Sequence, residues 1–201
     1  MCGRYHFETD ENALSDIVAE AIKNTRERTE QRLFAGGEVF PGDLAPVLTA
    51  GNRAQFMIWG FPNLNAGKRP HINARSETAA MLPTFCGAMS ARRCIVPASG
   101  YYEWKPIGNK RKEKYEFTLP GRMPLYMAGV YSDDGRFAIL TRAAVAAILD
   151  IHDRMPVIIP YNLIAVWINE TADALRSALT DLRFERVQSC SGQDEQMSLF
   201  S

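Results

Sequence analysis

No stretch of this chain approaches the ~18 consecutive apolar residues that a membrane-spanning helix requires. Nor do its charges leave an excess, because 23 Lys plus Arg are matched by 23 Asp plus Glu. The first absence argues against a membrane protein, and the second removes the global basic field that marks many polyanion binders. Any nucleic-acid contact therefore has to be a local groove. Cysteine is sparse: Cys2, Cys86, Cys94 and Cys190 form no C-x-x-C pair and no dense framework, which fits free thiols in a reducing compartment. Acids near the N-terminus stand where a signal peptide would be hydrophobic, so the expected location is the cytoplasm. A zinc site built from Cys2, His6, Cys86 and Cys94 would need C-x3-H and C-x7-C spacings that belong to no usual zinc arrangement. With no glycine-rich phosphate loop and no internal repeat either, neither metal nor cofactor is expected.

The 201 residues suit one domain, placed at 1–188, followed by a polar tail at 189–201 whose composition favours disorder. Leu14, Ile17, Val18, Ala21 and Ile22 recur at spacings of three and four, which predicts a packing helix capped by Thr9 or Asp10. Gly51-Asn52 predicts a hairpin turn between strands at Leu44–Thr49 and Gln55–Trp59. Beyond the middle of the chain, Tyr115, Phe117 and Leu119 alternate with polar neighbours. Pro120-Gly121 and Asp134-Gly135 then turn into Leu125–Tyr131 and Arg136–Thr141, which reads as an antiparallel meander. Ala-rich Arg142–Leu149 has helical propensity, and Asn162–Ile168 and Ala172–Leu179 read as short helices, the last capped by Thr171. Helices flank strands rather than alternate with them. The expectation is therefore an α+β fold, mainly antiparallel, with a strongly bent sheet or small β-barrel and flanking helices.

Cys2 directly follows the initiator methionine. Loss of Met1 would give it a thiol and a free α-amine whose ordinary pKa, about 7.7–8.0, leaves a useful unprotonated fraction near neutrality. Such a 1,2-aminothiol condenses with an aldehyde to an imine and then closes a thiazolidine, which an internal cysteine cannot do. A second-position cysteine that is simply a small buried side chain is the plain alternative.

Four segments carry the chemistry-bearing residues: Cys2-Gly3-Arg4-Tyr5, His71–Thr78, Pro97–Trp104 and Ile151–Val157. In this order, with Trp59-Gly60 between the first two, they resemble the signature blocks of the SOS-response-associated peptidase (SRAP) family, whose members crosslink covalently to abasic sites in single-stranded DNA. The resemblance implies that Cys2 loses Met1 and forms the thiazolidine with the ring-opened sugar. Asn73 would orient the amine or the sugar, Glu103 would move protons during imine formation, and His152 would protonate the ring oxygen. It also implies phosphate contacts from Arg4, Arg75 and Arg154, a contact at Thr141, and stacking of bases on Trp59 and Trp104, with Tyr101 or Phe61 as lesser candidates. Read without the resemblance, the three arginines are as well explained by structural ion pairs and the tryptophans by core packing. β-Elimination from the same imine would nick the strand as an abasic-site lyase. The expected protein is a monomer, nucleoid-associated when bound to DNA, with single-stranded DNA containing abasic sites as its partner.

Three departures from the family stand out: Glu38-Val39-Phe40-Pro41 where many members carry Asn-Val-Ala-Pro, a shorter loop after Gly60, and Arg142 where a second threonine is frequent. None touches Cys2, Asn73, Glu103 or His152. Two rival readings remain, a cysteine hydrolase or peptidase in which His152 activates Cys2, and a non-catalytic single-strand DNA-binding module. Separately, Gln196-Met197-Ser198-Leu199-Phe200 resembles the short peptides that bind the bacterial sliding clamp, with Gln196, Leu199 and Phe200 as the anchoring residues.

Overall fold

The computed structural model describes residues 2–9, 12–24, 36–65, 67–108 and 111–188. The tail and its clamp-like peptide, Cys190, and the Asp10 cap candidate lie outside the described residues. Among the described residues, twelve strands form two sheets: β1 (Arg4–Phe7), β2 (Gly37–Val39), β3 (Leu44–Thr49), β4 (Arg53–Trp59), β5 (Asn73–Arg75), β6 (Arg93–Ala98), β7 (Gly100–Ile107), β8 (Arg111–Thr118), β9 (Leu125–Tyr131), β10 (Arg136–Ala143), β11 (Arg154–Pro156) and β12 (Arg183–Arg186). The helices are α1 (Asn12–Asn24), α2 (Cys86–Ala91) and α3 (Ile164–Asn169). None is long and apolar enough to cross a membrane.

One sheet runs β12-β8-β7-β1-β2, and the other runs β11-β10-β4-β3-β6-β9 with β5 added on β10. Because β10 also pairs with β9, the path β10-β4-β3-β6-β9 curls back on itself. This is the strongly bent, mainly antiparallel α+β arrangement expected, although β10 runs parallel to both β4 and β5.

The period of two along the strands explains why the curled sheet is buried on both faces. Cys94, Val96, Phe137 and Ile139 point into one core with Tyr5, Phe7, Tyr101 and Phe117 of the five-stranded sheet. Their neighbours Ile95, Ala138 and Leu140 point into a second core closed by Met89 of α2 and Trp167 and Ile168 of α3. Trp167 ties α3 down, since its Nε1 donates to Cys94 O at 2.7 Å while its own carbonyl accepts from Arg93 Nε at 2.6 Å. On α1, Leu14 and Ala21 are buried, but Ile22 lies on the exposed side of the predicted stripe. The helix is held to β4 as Asn24 Nδ2 donates to Ala54 O and Ala54 N donates to Glu20 Oε1.

The turns fall where glycine allows them. Gly51, Gly121 and Gly135 take φ of 72°, 69° and 75°, a region that costs a side chain strain. The short helices near residues 161–177 form as expected, with the Thr171 hydroxyl accepting from Asp173 N. The helix expected over Arg142–Leu149 does not form. Arg142 and Ala143 are held in β10 by pairing with Met155 and Arg154, and residues 145–152 follow in tight turns. A tertiary ladder overrides alanine's local preference.

Gly100 is a packing requirement of a different kind. A Cβ there would lie 2.4 Å from His6 Nε2 and 2.8 Å from Phe117 O. His6 itself is wedged between carboxylates, with Nε2 2.8 Å from Glu116 Oε1 and Nδ1 3.4 Å from Glu8 Oε1. Gly100→Ala is therefore expected to cost about 2 kcal/mol, lowering the melting temperature by roughly 4–8 °C in a thermal melt. Gly87→Ala, where the new methyl meets only Arg92 Nη2 at 3.7 Å inside α2, should be neutral or stabilising by up to about 1 kcal/mol. Equal effects from the two substitutions would show that Gly100 is not the tight contact argued here.

Candidate active site

Antiparallel pairing of β1 with β7 sets Arg4 opposite Tyr102 and Tyr5 opposite Tyr101. The start of the chain is thereby laid beside Glu103, the next residue along β7. Cys2 is fully buried at this point, its thiol donating weakly to Arg4 O at 3.8 Å. β5 supplies Asn73, whose Nδ2 donates to Cys2 O at 2.8 Å, and β5 itself is held by the parallel register Ile139↔Asn73 on β10. The turns between β10 and β11 supply His152, whose Nε2 lies 3.9 Å from Glu103 Oε2. Three segments distant in sequence, β5, β7 and the turns before β11, are thus gathered at the start of the chain, Asn73 on the Cys2 carbonyl and His152 on Glu103 beside it.

Burial dominates the electrostatics. Glu103 is 2% exposed, and its desolvation pushes the carboxyl from the usual 4.5 up to about 7. It is therefore divided between acid and base at neutral pH. Burial, and after it the Glu103 charge, pushes the Cys2 thiol well above the ordinary thiol range. Desolvation pulls the His152 imidazole down from 6.5. In that neutral ring Nδ1 accepts the Arg154 N–H at 3.0 Å, so the ring hydrogen sits on Nε2, the nitrogen facing Glu103. Asp153 Oδ1 lies 2.9 Å from the same Nδ1 and becomes a partner once the ring is charged. The hydroxyls of Tyr5 and Tyr101 and Asn73 Oδ1 are buried with no hydrogen-bond partner among the described residues. Since buried polar atoms are nearly always paired, these three mark where a polar guest belongs.

The other candidates separate. Trp59 is fully buried, stacked near Phe137 with ring centroids 6.3 Å apart and donating from Nε1 to Ile72 O at 2.9 Å. It supports the backbone that carries Asn73 and offers no face to a base. Tyr101, stacked on Phe117 at 4.7 Å, and Phe61 are likewise core residues. Thr141 is fully buried and turned inward, its hydroxyl 3.5 Å from Ala74 O. Arg154 spends its guanidinium on a two-pronged pair with Glu77, at 2.7 and 2.8 Å, and on Thr141 O at 2.6 Å. That pairing draws the Glu77 carboxyl down to about 2. Arg154 therefore orients His152, through its own backbone N–H, more than it presents a cation. Arg75 on β5 is exposed, and Trp104 on β7 is half-buried beneath the Arg4 guanidinium, 5.0 Å from its ring centroid.

Sequence reasoning missed Glu77 as the anchor of Arg154 and the hydroxyls of Tyr5 and Tyr101 as part of the site. The alternation in Arg4–Phe7 could have found Tyr5, because odd positions in a strand that begins at Arg4 face the same core as Glu103. Of the residues weighed as zinc ligands, Cys86 is exposed on α2 while Cys2 and Cys94 are buried. Among the described residues, no group of three or more His, Cys, Asp or Glu side chains is placed to hold a metal ion.

The chain is 34% identical over 203 residues to the abasic site processing protein YoaM of Bacillus subtilis, covering 89% of this chain and 85% of that one. It is 31% identical over 183 residues to the abasic site processing protein YedK of Escherichia coli, covering 85% and 80%. Its fold matches the crystal structure of a phage-related protein from Bordetella bronchiseptica with a TM-score of 0.72 at 26% identity, covering 94% and 95% of the two chains. A protein from Bacteroides thetaiotaomicron shares the fold with a TM-score of 0.72 at 21% identity, covering 92% of each chain. The family model of the SOS response associated peptidases matches residues 1–191, and with relatives this similar along most of their length the chain belongs to that family.

Proposed function

We propose that this protein captures abasic sites in single-stranded DNA as a covalent thiazolidine at Cys2. The observation that carries the reading is the cluster in which Asn73 holds the Cys2 carbonyl, the Glu103 charge bears on the Cys2 thiol and His152 lies 3.9 Å from Glu103, and relatives named as abasic site processing proteins point to the substrate class.

Hydrolysis of the Met1–Cys2 peptide bond consumes one water and frees the α-amine. Asn73, holding the Cys2 carbonyl, fixes the direction in which that amine points. His152, once charged with Asp153 against its Nδ1, donates a proton from Nε2 to the sugar ring oxygen while the anomeric hydroxyl gives its own proton to water, and the ring opens to the aldehyde. Glu103 relays the two amine protons to the aldehyde oxygen, the first as the amine adds to give the carbinolamine and the second as its hydroxyl departs as water, which yields the imine. The thiol then adds across the C=N bond, sulfur to carbon and its proton to nitrogen, closing the five-membered ring. A thiol held protonated suits this last step, since it brings its own proton. Holding amine and aldehyde together makes the condensation effectively unimolecular. β-Elimination from the imine accounts for a minor lyase activity. Arg75 and Arg4 contact phosphates, and Trp104 stacks a base beside the lesion.

The peptidase reading requires a Cys2 thiolate, which burial and the Glu103 charge both oppose. It is retained only for the removal of Met1. A denaturing gel tests the proposal directly. Demethionylated protein with single-stranded DNA bearing one abasic site should give a heat-stable shifted band, absent with Cys2→Ala and with intact DNA. No band from protein whose mature N-terminus had been confirmed by mass would reject covalent capture.

Glu103→Gln is expected to slow crosslinking about 100-fold near pH 7 and to abolish the inflection near pH 7 in the wild-type rate profile, leaving that of the α-amine. The same substitution has a stability signature. A carboxyl raised in the folded state to about 7 favours folding below its ordinary 4.5, and that contribution is lost as pH rises through 7. The Gln variant, which cannot ionise, should therefore gain on wild type between pH 4.5 and 8 by on the order of 3 kcal/mol in denaturant titrations. A pH-independent difference would mean that Glu103 titrates normally.

A further inference from the structure

The side chains of β7 that alternate with Tyr101 and Glu103 leave the opposite face of the five-stranded sheet. There Arg4 faces Tyr102, and Lys114 faces Trp104, across neighbouring strands. The Arg4 guanidinium lies 4.3 Å from the Phe40 ring centroid and 5.0 Å from that of Trp104. Lys114 Nζ stands 3.9 Å from the Tyr102 ring centroid. The two cations are joined by one group, Glu38 on β2. Its Oε2 accepts from Arg4 Nη1 at 3.0 Å and its Oε1 accepts from Lys114 Nζ.

This arrangement has the components of a single-strand binding surface, with cations for the phosphates among aromatic faces for the bases. It also contains a substitute for the ligand. A carboxylate that gives one oxygen to each of two cations occupies them as the two non-bridging oxygens of a phosphodiester would. The cluster stays within reach of water, with side-chain exposures of 20% for Arg4, 32% for Glu38 and 22% for Lys114. Ion pairs that open to solvent contribute little to stability and exchange readily.

We propose that Arg4 and Lys114 form a phosphodiester-binding site on this face, and that the Glu38 carboxylate fills it in the free protein, so that a bound strand must displace Glu38. The residue then sets how tightly the protein grips DNA before any chemistry occurs. This rests on reading the protein as a single-strand binder and is independent of thiazolidine formation.

The test is fluorescence anisotropy with a dye-labelled single-stranded oligonucleotide that contains no abasic site, across a salt series. Wild type, Glu38→Gln and Glu38→Gln/Lys114→Met are compared, each checked for folding by thermal melt. Glu38→Gln should bind about 5- to 10-fold tighter at low salt, with the log–log salt slope steeper by roughly 0.7 per cation released from Glu38. Adding Lys114→Met should remove most of that gain. Unchanged or weaker binding by folded Glu38→Gln overturns the inference. Because the oligonucleotide offers no aldehyde, the two proposals fail separately. Tighter Glu38→Gln binding without any crosslink to an abasic strand sinks the covalent reading alone, whereas crosslinking without the gain sinks this one alone.

Discussion

The desolvation of one carboxyl is the constraint from which the rest of the site follows. Glu103 sits on the core-facing side of β7, between the two sheets, where a charged carboxylate is disfavoured. Only a fold that closes over this position from several directions can keep it dry. β1 lays Cys2 alongside it, β5 holds the Cys2 carbonyl through Asn73, and the turns before β11 bring His152 to 3.9 Å. The same exclusion of water that raises Glu103 also holds the Cys2 thiol protonated and the His152 ring neutral. Three groups are thus kept within range of proton exchange by a single cause, and no cation needs to be buried with them.

The three arginines of the signature blocks have different fates, although the sequence presents them alike. Arg154 is committed to Glu77 and Thr141, and its main service is a backbone N–H that selects the tautomer of His152. Arg4 is shared between aromatic rings and Glu38. Arg75 alone among them is exposed. The cations free to meet a ligand are therefore not a sum over the arginines of the signature blocks. They are set by which of these already has an internal partner, and Glu38 and Glu77 are the carboxylates that supply one.

What could be read from the chain follows from the range of the interactions involved. The hairpins were legible because Gly51 and Gly135 announce turns that only a few backbone conformations satisfy, and α1 because its apolar spacing is local. β5 was not, being three residues long and stabilised wholly by a parallel ladder with a strand more than sixty positions away. The same ladder logic undid the helix at Arg142–Leu149, where β11 claims residues whose composition favours a helix. Within the site, motif order pointed to Cys2, Asn73, Glu103 and His152. Residue type alone could not separate a tryptophan that stacks on a base from Trp59, which supports a strand from beneath. Glu38 was visible as a departure, but its meaning depended on Lys114, 76 positions away.

A buried, protonated thiol would be a poor choice for an enzyme that attacks through sulfur, because the thiolate is the nucleophile. It is a sound choice when nitrogen attacks first. The α-amine of a mature Cys2 has an ordinary pKa near neutrality and needs only a base of comparable pKa beside it, which is what burial makes of Glu103. In the proposed capture sulfur then acts on an imine already formed a bond or two away, where proximity replaces intrinsic nucleophilicity and the proton it carries is the one the ring nitrogen must receive. In the proposed capture, the environment that disfavours thiolate chemistry is also the one that would order the two steps, amine before thiol. A thiol held buried and protonated is also protected from oxidation and stray alkylation.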